Sequence, residues 1–269
     1  ASNRSERQLI ELLARLIGTM LNGRGTEPAV KPVLVELYAP IMRVALHDSH
    51  MLEAYDHPTW RFVDRIAFIA ALHPRSDDPL RAKLLRFVDA LVESVSHEPA
   101  QDAALYRWGL ERLSVLEHHL FEQRLLDATA QIATLRQQEG SDLFARRPVA
   151  ETGTEALDVA NLATVPAALL ESNRHAVEPS EASLAWLAGH RPGQWVLVFL
   201  QHDWRVAQLL WHSDSGELWL YAEASDAPNL ALRRRALQRL HQERLLHVMQ
   251  PRSLVRKAAD TVLRDMLKR

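Results

Sequence analysis

The spacing of apolar residues shifts from helical to alternating in the second half of this 269-residue chain, and that shift limits the folds open to it. In "RQLIELLARLIGTMLNG" apolar side chains recur at Leu9, Leu12, Leu13, Leu16, Ile17 and Met20, the three-and-four spacing of one helix face, and Gly23 follows as a stop. In "AVKPVLVELYAPIMRVALHD" the stripe is Val33, Leu37, Ile41, Val44 and Ala45, and Pro40, lacking an amide hydrogen, is set to kink or split the helix. Further helices are expected over about 58–72, 77–96, 99–116 and 117–139. Asp77, Asp78 and Pro79 start the second of these, and Pro99 with Asp102 the third. From 140 to 184 the periodicity fades through a proline-bearing stretch that reads as a linker with one or two short helices.

Beyond that linker the period is two. "PGQWVLVFL", "WRVAQLLWH" and "GELWLYAEA" are short, rich in Val, Trp and Leu, and separated by turn residues at His202-Asp203 and Ser213-Asp214-Ser215-Gly216. They predict a small antiparallel barrel or sheet. "APNLALRRRALQRLHQE" then reads as a basic amphipathic helix, "RLLHVMQ" as a further strand, and "PRSLVRKAADTVLRDMLK" as a closing helix begun by Pro251. The fold class is therefore α+β: a helical module over 1–139, the linker over 140–184, and a β-rich domain with C-terminal helices over 185–269. In the first strand both alternating faces are apolar. Trp195, Leu197 and Phe199 are expected to enter the core, and Val196, Val198 and Leu200 to meet a helix or a partner chain.

Composition excludes several function classes. A net charge of −2 with pI near 6.7 supplies no global field toward nucleic acid or membranes. No cysteine is present, which removes disulfides, thiolate metal sites and a cysteine nucleophile, and fits a reducing, cytoplasmic setting. No apolar run reaches the roughly 18 residues of a membrane span. The start, "ASNRSERQ", has neither an initiator Met nor a signal-peptide core, and reads as trimmed. None of the nine glycines forms a GxGxxG or P-loop pattern.

Chemistry-bearing residues gather in a few places. His47, Asp48, His50, Glu53, Asp56 and His57 crowd one short stretch and would suit a metal or acid/base cluster. Their spacing scatters them around a helix end, however, and Pro58 after His57 has the chemistry of a helix start. The structural reading is preferred: the His57-Pro58 step starts and locks a helix. His47-Asp48 resembles the dipeptide of HD phosphohydrolases, but no histidine precedes it to complete the set. His118 and Glu122 share a helix face without further ligands, and no GxSxG elbow is present. Arg233, Arg234, Arg235, Arg239 and Arg244 form a basic helix that is either a solvated face or an anion- or partner-docking site. Trp195, Trp204, Trp211 and Trp219 fall within 25 residues; Trp211 and Trp219 are placed to pair across a hairpin. An exposed Trp beside the basic helix would make a stacking or docking platform.

Together, "VLVELYAPIMRVALHDSHML", "HPTWRFVDRIA", "RPGQWVLVF" and "WRVAQLLWHSDSGELWLYAE" resemble a bacterial domain-of-unknown-function family whose long members are sometimes mislabelled thymidine phosphorylase. The most specific parts are the LxxPxxxxALxD segment ending at Asp48, the His57-Pro58 step, and Pro192-Gly193-Gln194-Trp195. The resemblance implies a His-Pro helical region followed by a C-terminal barrel like the cyclic di-GMP-binding PilZ domain. The RxxxR arm and [DN]xSxxG motif of such receptors are not in place. Arg146-Arg147 and Arg191 stand near the arm position, Arg235–Arg239 and Arg252–Arg256 lie on expected helices, and Asp214-Ser215-Gly216 has the wrong spacing.

The preferred expectation is a non-enzymatic cytoplasmic regulatory or adaptor protein with an unidentified protein partner, no cofactor and no catalytic or metal residues. It would bind no nucleic acid, would not insert into membranes, and is free to form homo-oligomers. The alternative is a cyclic di-GMP receptor with a non-standard site built from Arg205, Arg233, Arg234, Arg235 and Trp204. A metal-dependent hydrolase centred on His47 to His57 is the outsider.

Overall fold

The structure, a computed structural model, describes residues 2–23, 26–48, 50–75, 77–142, 181–200, 202–225 and 227–268. Most of the expected linker, with Arg146 and Arg147, lies outside them. The described residues form two compact units, Ala1–Glu117 with Pro251–Arg269, and His118–Gln250. These limits differ from a division at 139 and 185, because the last helix packs with the first unit and the helix Thr129–Asp142 with the sheet.

The first unit is helical: α1 (Ser2–Asn22), α2 (Val30–His47), the single turn α3 (His50–Glu53), α4 (Pro58–Leu72), α5 (Pro79–His97) and the first part of α6 (Ala103–Asp127). Most of the expected stripes face inward, with Leu13, Ile17, Met20, Leu37, Ile41 and Val44 at most 1% exposed and Leu34 joining them, but Leu12, expected on the same face, is 38% exposed. Pro40 is accommodated within α2 without ending it. Asp78 caps α5, its carboxylate accepting from the Leu80 amide at 2.8 Å, with Pro79 at the first helical position. The C-terminal helix, labelled α10 (Leu254–Leu267), joins this core through Val255 and Ala258. Asp64 of α4 caps it, accepting from Leu254 N at 2.8 Å and Val255 N at 3.3 Å. Burial raises the Asp64 pKa, and the hydrogen bonds from Ser253 and the two amides oppose that rise only in part.

The second unit takes the end of α6, then α7 (Thr129–Asp142), α8 (Glu181–Gly189), β1 (Trp195–Leu200), β2 (Asp203–His212), β3 (Leu218–Glu223), β4 (Leu230–Arg233), α9 (Arg234–Gln242) and β5 (Leu246–Val248). The break between α6 and α7 falls at Ala128 rather than near 117, where the Thr129 hydroxyl donates to the carbonyls of Leu125 and Leu126 and competes with the helical ladder. "NLALRRRALQ" divides into a strand and a helix: Leu230–Arg233 pairs with β3, and the helix starts at Arg234.

The strands form one antiparallel sheet in the order β4-β3-β2-β1-β5. Among the described residues it keeps two edges, β4 and β5, and does not close, so the expected barrel is here an open sheet. Helices cover both faces. Leu187 of α8 and Ala236, Leu237 and Leu240 of α9 pack on Val196, Val198, Leu200, Leu209, Trp219 and Tyr221. Ala128, Ile132 and Leu135, at the start of and within α7, pack on Leu210, Leu218, Leu220 and Ala222. That two-sided cover explains why every residue of β3 is buried. A bulge between Leu209 and Trp211 sends both Leu210 and Trp211 to the α7 side.

The β1 expectation is half reversed. Val196, Val198 and Leu200 meet helices as anticipated and are the buried set, at most 1% exposed. Trp195, Leu197 and Phe199 are only half-buried on the opposite face, because α7 lies over β2, β3 and β4 rather than over β1.

One close approach limits substitution in the first unit. At Gly109 of α6 an added Cβ would stand 2.8 Å from Phe62 Cε2, and that ring is fully buried edge-to-face against Tyr106 at 5.8 Å. Gly109→Ala is expected to lower the denaturation free energy of this unit by about 1–3 kcal/mol despite alanine's higher helix propensity, since the ring must leave its well. A chemical denaturation curve measures it.

Candidate functional site

The first candidate, the stretch from His47 to His57, resolves into helix-end chemistry. His57 is the N-cap of α4, its Nδ1 accepting from the Thr59 amide at 3.3 Å, with Pro58 next. Because Nδ1 accepts, Nε2 carries the proton and donates to Asp48 Oδ2 at 3.2 Å. Asp48 follows the last turn of α2, and its other oxygen accepts from the His50 amide at 3.1 Å. Trp60 Nε1 donates to the Met51 carbonyl at 2.7 Å and closes the loop. His47 turns back to the Arg43 carbonyl, and His50 with Glu53 is a solvent-exposed pair at 3.7 Å. Among the described residues no three of His, Asp or Glu are placed to hold one metal ion. His118 and Glu122 form an exposed pair at 3.1 Å.

A cleft of about 640 Å³ runs along α1 and α10, floored by Met20, Leu254, Ala258 and Val262. Four of its polar side chains bond to backbone carbonyls: Thr19 to Arg15 O, Asn22 to Gly18 O, Thr26 to Met20 O and Thr261 to Lys257 O; Arg15 pairs with Glu11.

The second candidate, the arginines and Trp204, is not gathered into one place. Arg205 faces the α9 side and donates to Glu223 Oε1 at 2.7 Å. Arg233 stands opposite Leu218, at the other end of β3, and Arg234 pairs with Glu217 at 3.4 Å. At ~3.3 Å per residue, that end of β3 is roughly 17 Å from Glu223. Arg235 is exposed on α9. Trp204 lies on the face away from α9: it is cross-strand to Phe199, with ring centroids 5.3 Å apart, and it stacks toward His247 of β5 at 6.1 Å. Trp204 and the basic helix therefore make no common platform.

Nor do Trp211 and Trp219 pair. The bulge sets Trp211 against Leu220 and His212 against Trp219, so the two indoles occupy opposite faces. The guanidinium of Arg136 lies over Trp211 at 5.6 Å, and that of Arg124 over Trp195 at 4.9 Å.

What the structure assembles instead is an aromatic strip on the open face: Trp204 is 45% exposed, flanked by Phe199, His247 and the half-buried Leu197 and Val206. The partnership of Phe199 with Trp204 follows from the register of β1 and β2, and like His247 it was not singled out in the sequence. On the other face a second set forms, with Trp186 between His190 and His241. Nothing in the sequence pattern singled these three out.

Residues 1–102 match a family described as "Protein of unknown function (DUF1631) 2nd domain". That span takes in α1 to α5, the Asp48–His57 pair included, and to that extent the chain resembles a domain whose function is not known. No curated protein and no solved structure matches it.

The helix-end account of His57 has a direct test. His57→Ala removes a cap and leaves the buried Thr59 amide unpaired, and should cost about 1–3 kcal/mol in denaturant titration. His57→Asn keeps a capping oxygen and should recover at least half of that loss.

Proposed function

We propose that this chain is a non-enzymatic regulatory or adaptor module that works through protein–protein contact, its sheet unit being a degenerate, opened relative of a PilZ-like barrel. The observation that carries this reading is the aromatic strip of Phe199, Trp204 and His247, with Trp204 45% exposed on a sheet whose other face is packed under two helices. An indole held open on a rigid sheet has the composition and preorganisation of an interface anchor, because it offers large apolar area at little conformational cost. The strip adjoins β5, an edge strand of the sheet among the described residues, so that apolar area and a strand edge lie side by side. The absence of cysteine suits a cytoplasmic setting. The cyclic di-GMP alternative has less support, since Arg205 and Arg234 are held by carboxylates at opposite ends of β3.

The test compares tagged wild type with Trp204→Ala and Trp204→Glu in affinity capture from the source cells, alongside light scattering and calorimetric titration with cyclic di-GMP. Trp204→Ala should change stability by less than about 1 kcal/mol, as an exposed position does, while the captured partner, or a self-associated state, is lost. An unchanged partner set and unchanged mass in both variants would sink the proposal. Saturable heat with cyclic di-GMP would replace it with the receptor reading.

A further inference from the structure

His190 follows α8 and is 1% exposed, yet neither of its ring nitrogens has a hydrogen-bond partner. The buried hydroxyl of Tyr221 beside it is likewise unpartnered, with ring centroids 6.0 Å apart. The nearby Gln194 has its oxygen engaged with the Arg191 amide at 2.9 Å. Trp186 of α8 stacks on His190 at 4.7 Å and 25°, and on its other side against His241 of α9 at 4.7 Å and 17°. Trp219 lies 5.9 Å from His190 and 4.8 Å from His212. The α8 helix is thus seated on the sheet and α9 by stacked rings, by Leu187, and by a hydrogen bond between Ser183 and His241 at 2.9 Å.

We propose that α8 is a pH-gated latch: it stays closed over the sheet while His190 is neutral, and it is released when His190 takes a proton. The stack tolerates only the neutral ring. A protonated His190 would be a buried cation with two N–H groups, and the neighbouring acceptor, the Gln194 side-chain oxygen, is already engaged with the Arg191 amide. The titratable and charged groups that face it offer no relief: His212 of β2, Arg191 of its own loop, Tyr221 of β3, and His241 of α9 across Trp186. Burial lowers its pKa to about 4, with His212 and Arg191 adding to the shift and Gln194 opposing it. Burial also lowers that of His241, with His247 contributing. A helix of nine residues does not survive alone once its seat is lost, whereas the strands beneath keep their own ladder.

The sign follows from linkage. Between pH 6.5 and 4 the released state binds more protons than the latched one, so acidification favours release and the contribution is complete above pH 6.5. A ring that titrates at about 4 when seated and at 6.5 when free makes α8 opening about twentyfold more frequent at pH 5 than at pH 7.

Hydrogen exchange of the full chain, corrected for intrinsic rates, reads this directly. The amides of 181–190 should lose about twentyfold in protection from pH 7 to pH 5 while those of β2 and β3 hold theirs, and His190→Phe should abolish the loss. Equal loss in α8 and in the sheet of the wild-type chain would overturn the latch, as would an unchanged α8 across that range. A persisting pH response in folded His190→Phe would also overturn it. The wild-type contrast stands alone if that variant does not fold.

Discussion

Helix α4 is fixed at both ends by histidine–aspartate pairs, and the rest of the helical unit is arranged from it. At its start, His57 uses one ring nitrogen to cap the helix and the other to hold Asp48 at the end of α2. At its close, His73 meets Asp78 at 3.2 Å, and Asp78 is in turn the N-cap of α5. Arg81 binds the His73 carbonyl and reaches Glu27 at 2.7 Å, so the loop before α2 is tied to the same point. Midway, Asp64 caps α10 and Arg65 pairs with Glu117 of α6. Each polar link satisfies a backbone group that a helix terminus would otherwise leave open, or pairs charges that are only partly exposed. The apolar stripes supply most of the stabilisation, but these links decide which helix end meets which.

The sheet unit depends on a different constraint: with helices on both faces, its central strands cannot alternate apolar with polar residues. β3 shows the outcome, buried throughout. Gln208, a polar residue that remains inside, is tied off by Arg124 at 2.9 Å and by the Gly193 carbonyl at 3.0 Å, whereas His190 and the Tyr221 hydroxyl are not. The bulge in β2 allows consecutive apolar residues to serve one face, Leu210 and Trp211 turning toward α7 together. Among the described residues α7 lies over β2, β3 and β4 on that face, and the aromatic strip lies on its β1–β5 side.

Readability from sequence followed the range of the interaction. The helices of the first unit and the His57-Pro58 start were readable because caps and stripes are local. The strand texture of 195–223 was equally readable. The short strand Leu230–Arg233 was not, since "NLALRRRALQ" suits a helix locally and only pairing with β3 makes its first half extended. The assignment of β1 faces failed for a related reason. Both of its faces are apolar, so periodicity could not say which one the helices would choose. The arginine–tryptophan grouping failed because sequence proximity says nothing of faces: Trp204 and Arg205 are adjacent and point to opposite sides of the sheet.

The disposition of the tryptophans separates structural from interactive use. Trp195 and Trp211 each lie under a guanidinium, and Trp219 donates to the Gly216 carbonyl at 2.8 Å while stacking with His212. Trp186 fills the gap between two histidines. In those four the large apolar area is covered by the chain itself, and the contact fixes a helix or a turn. Trp204 has aromatic neighbours on its flanks and solvent over 45% of its surface, so its area is held in place but not used up. The two sides of one sheet thus carry different properties. One encloses a histidine that is stable only while uncharged, which makes its helix cover conditional. The other carries an ordered aromatic surface with Trp204 45% exposed.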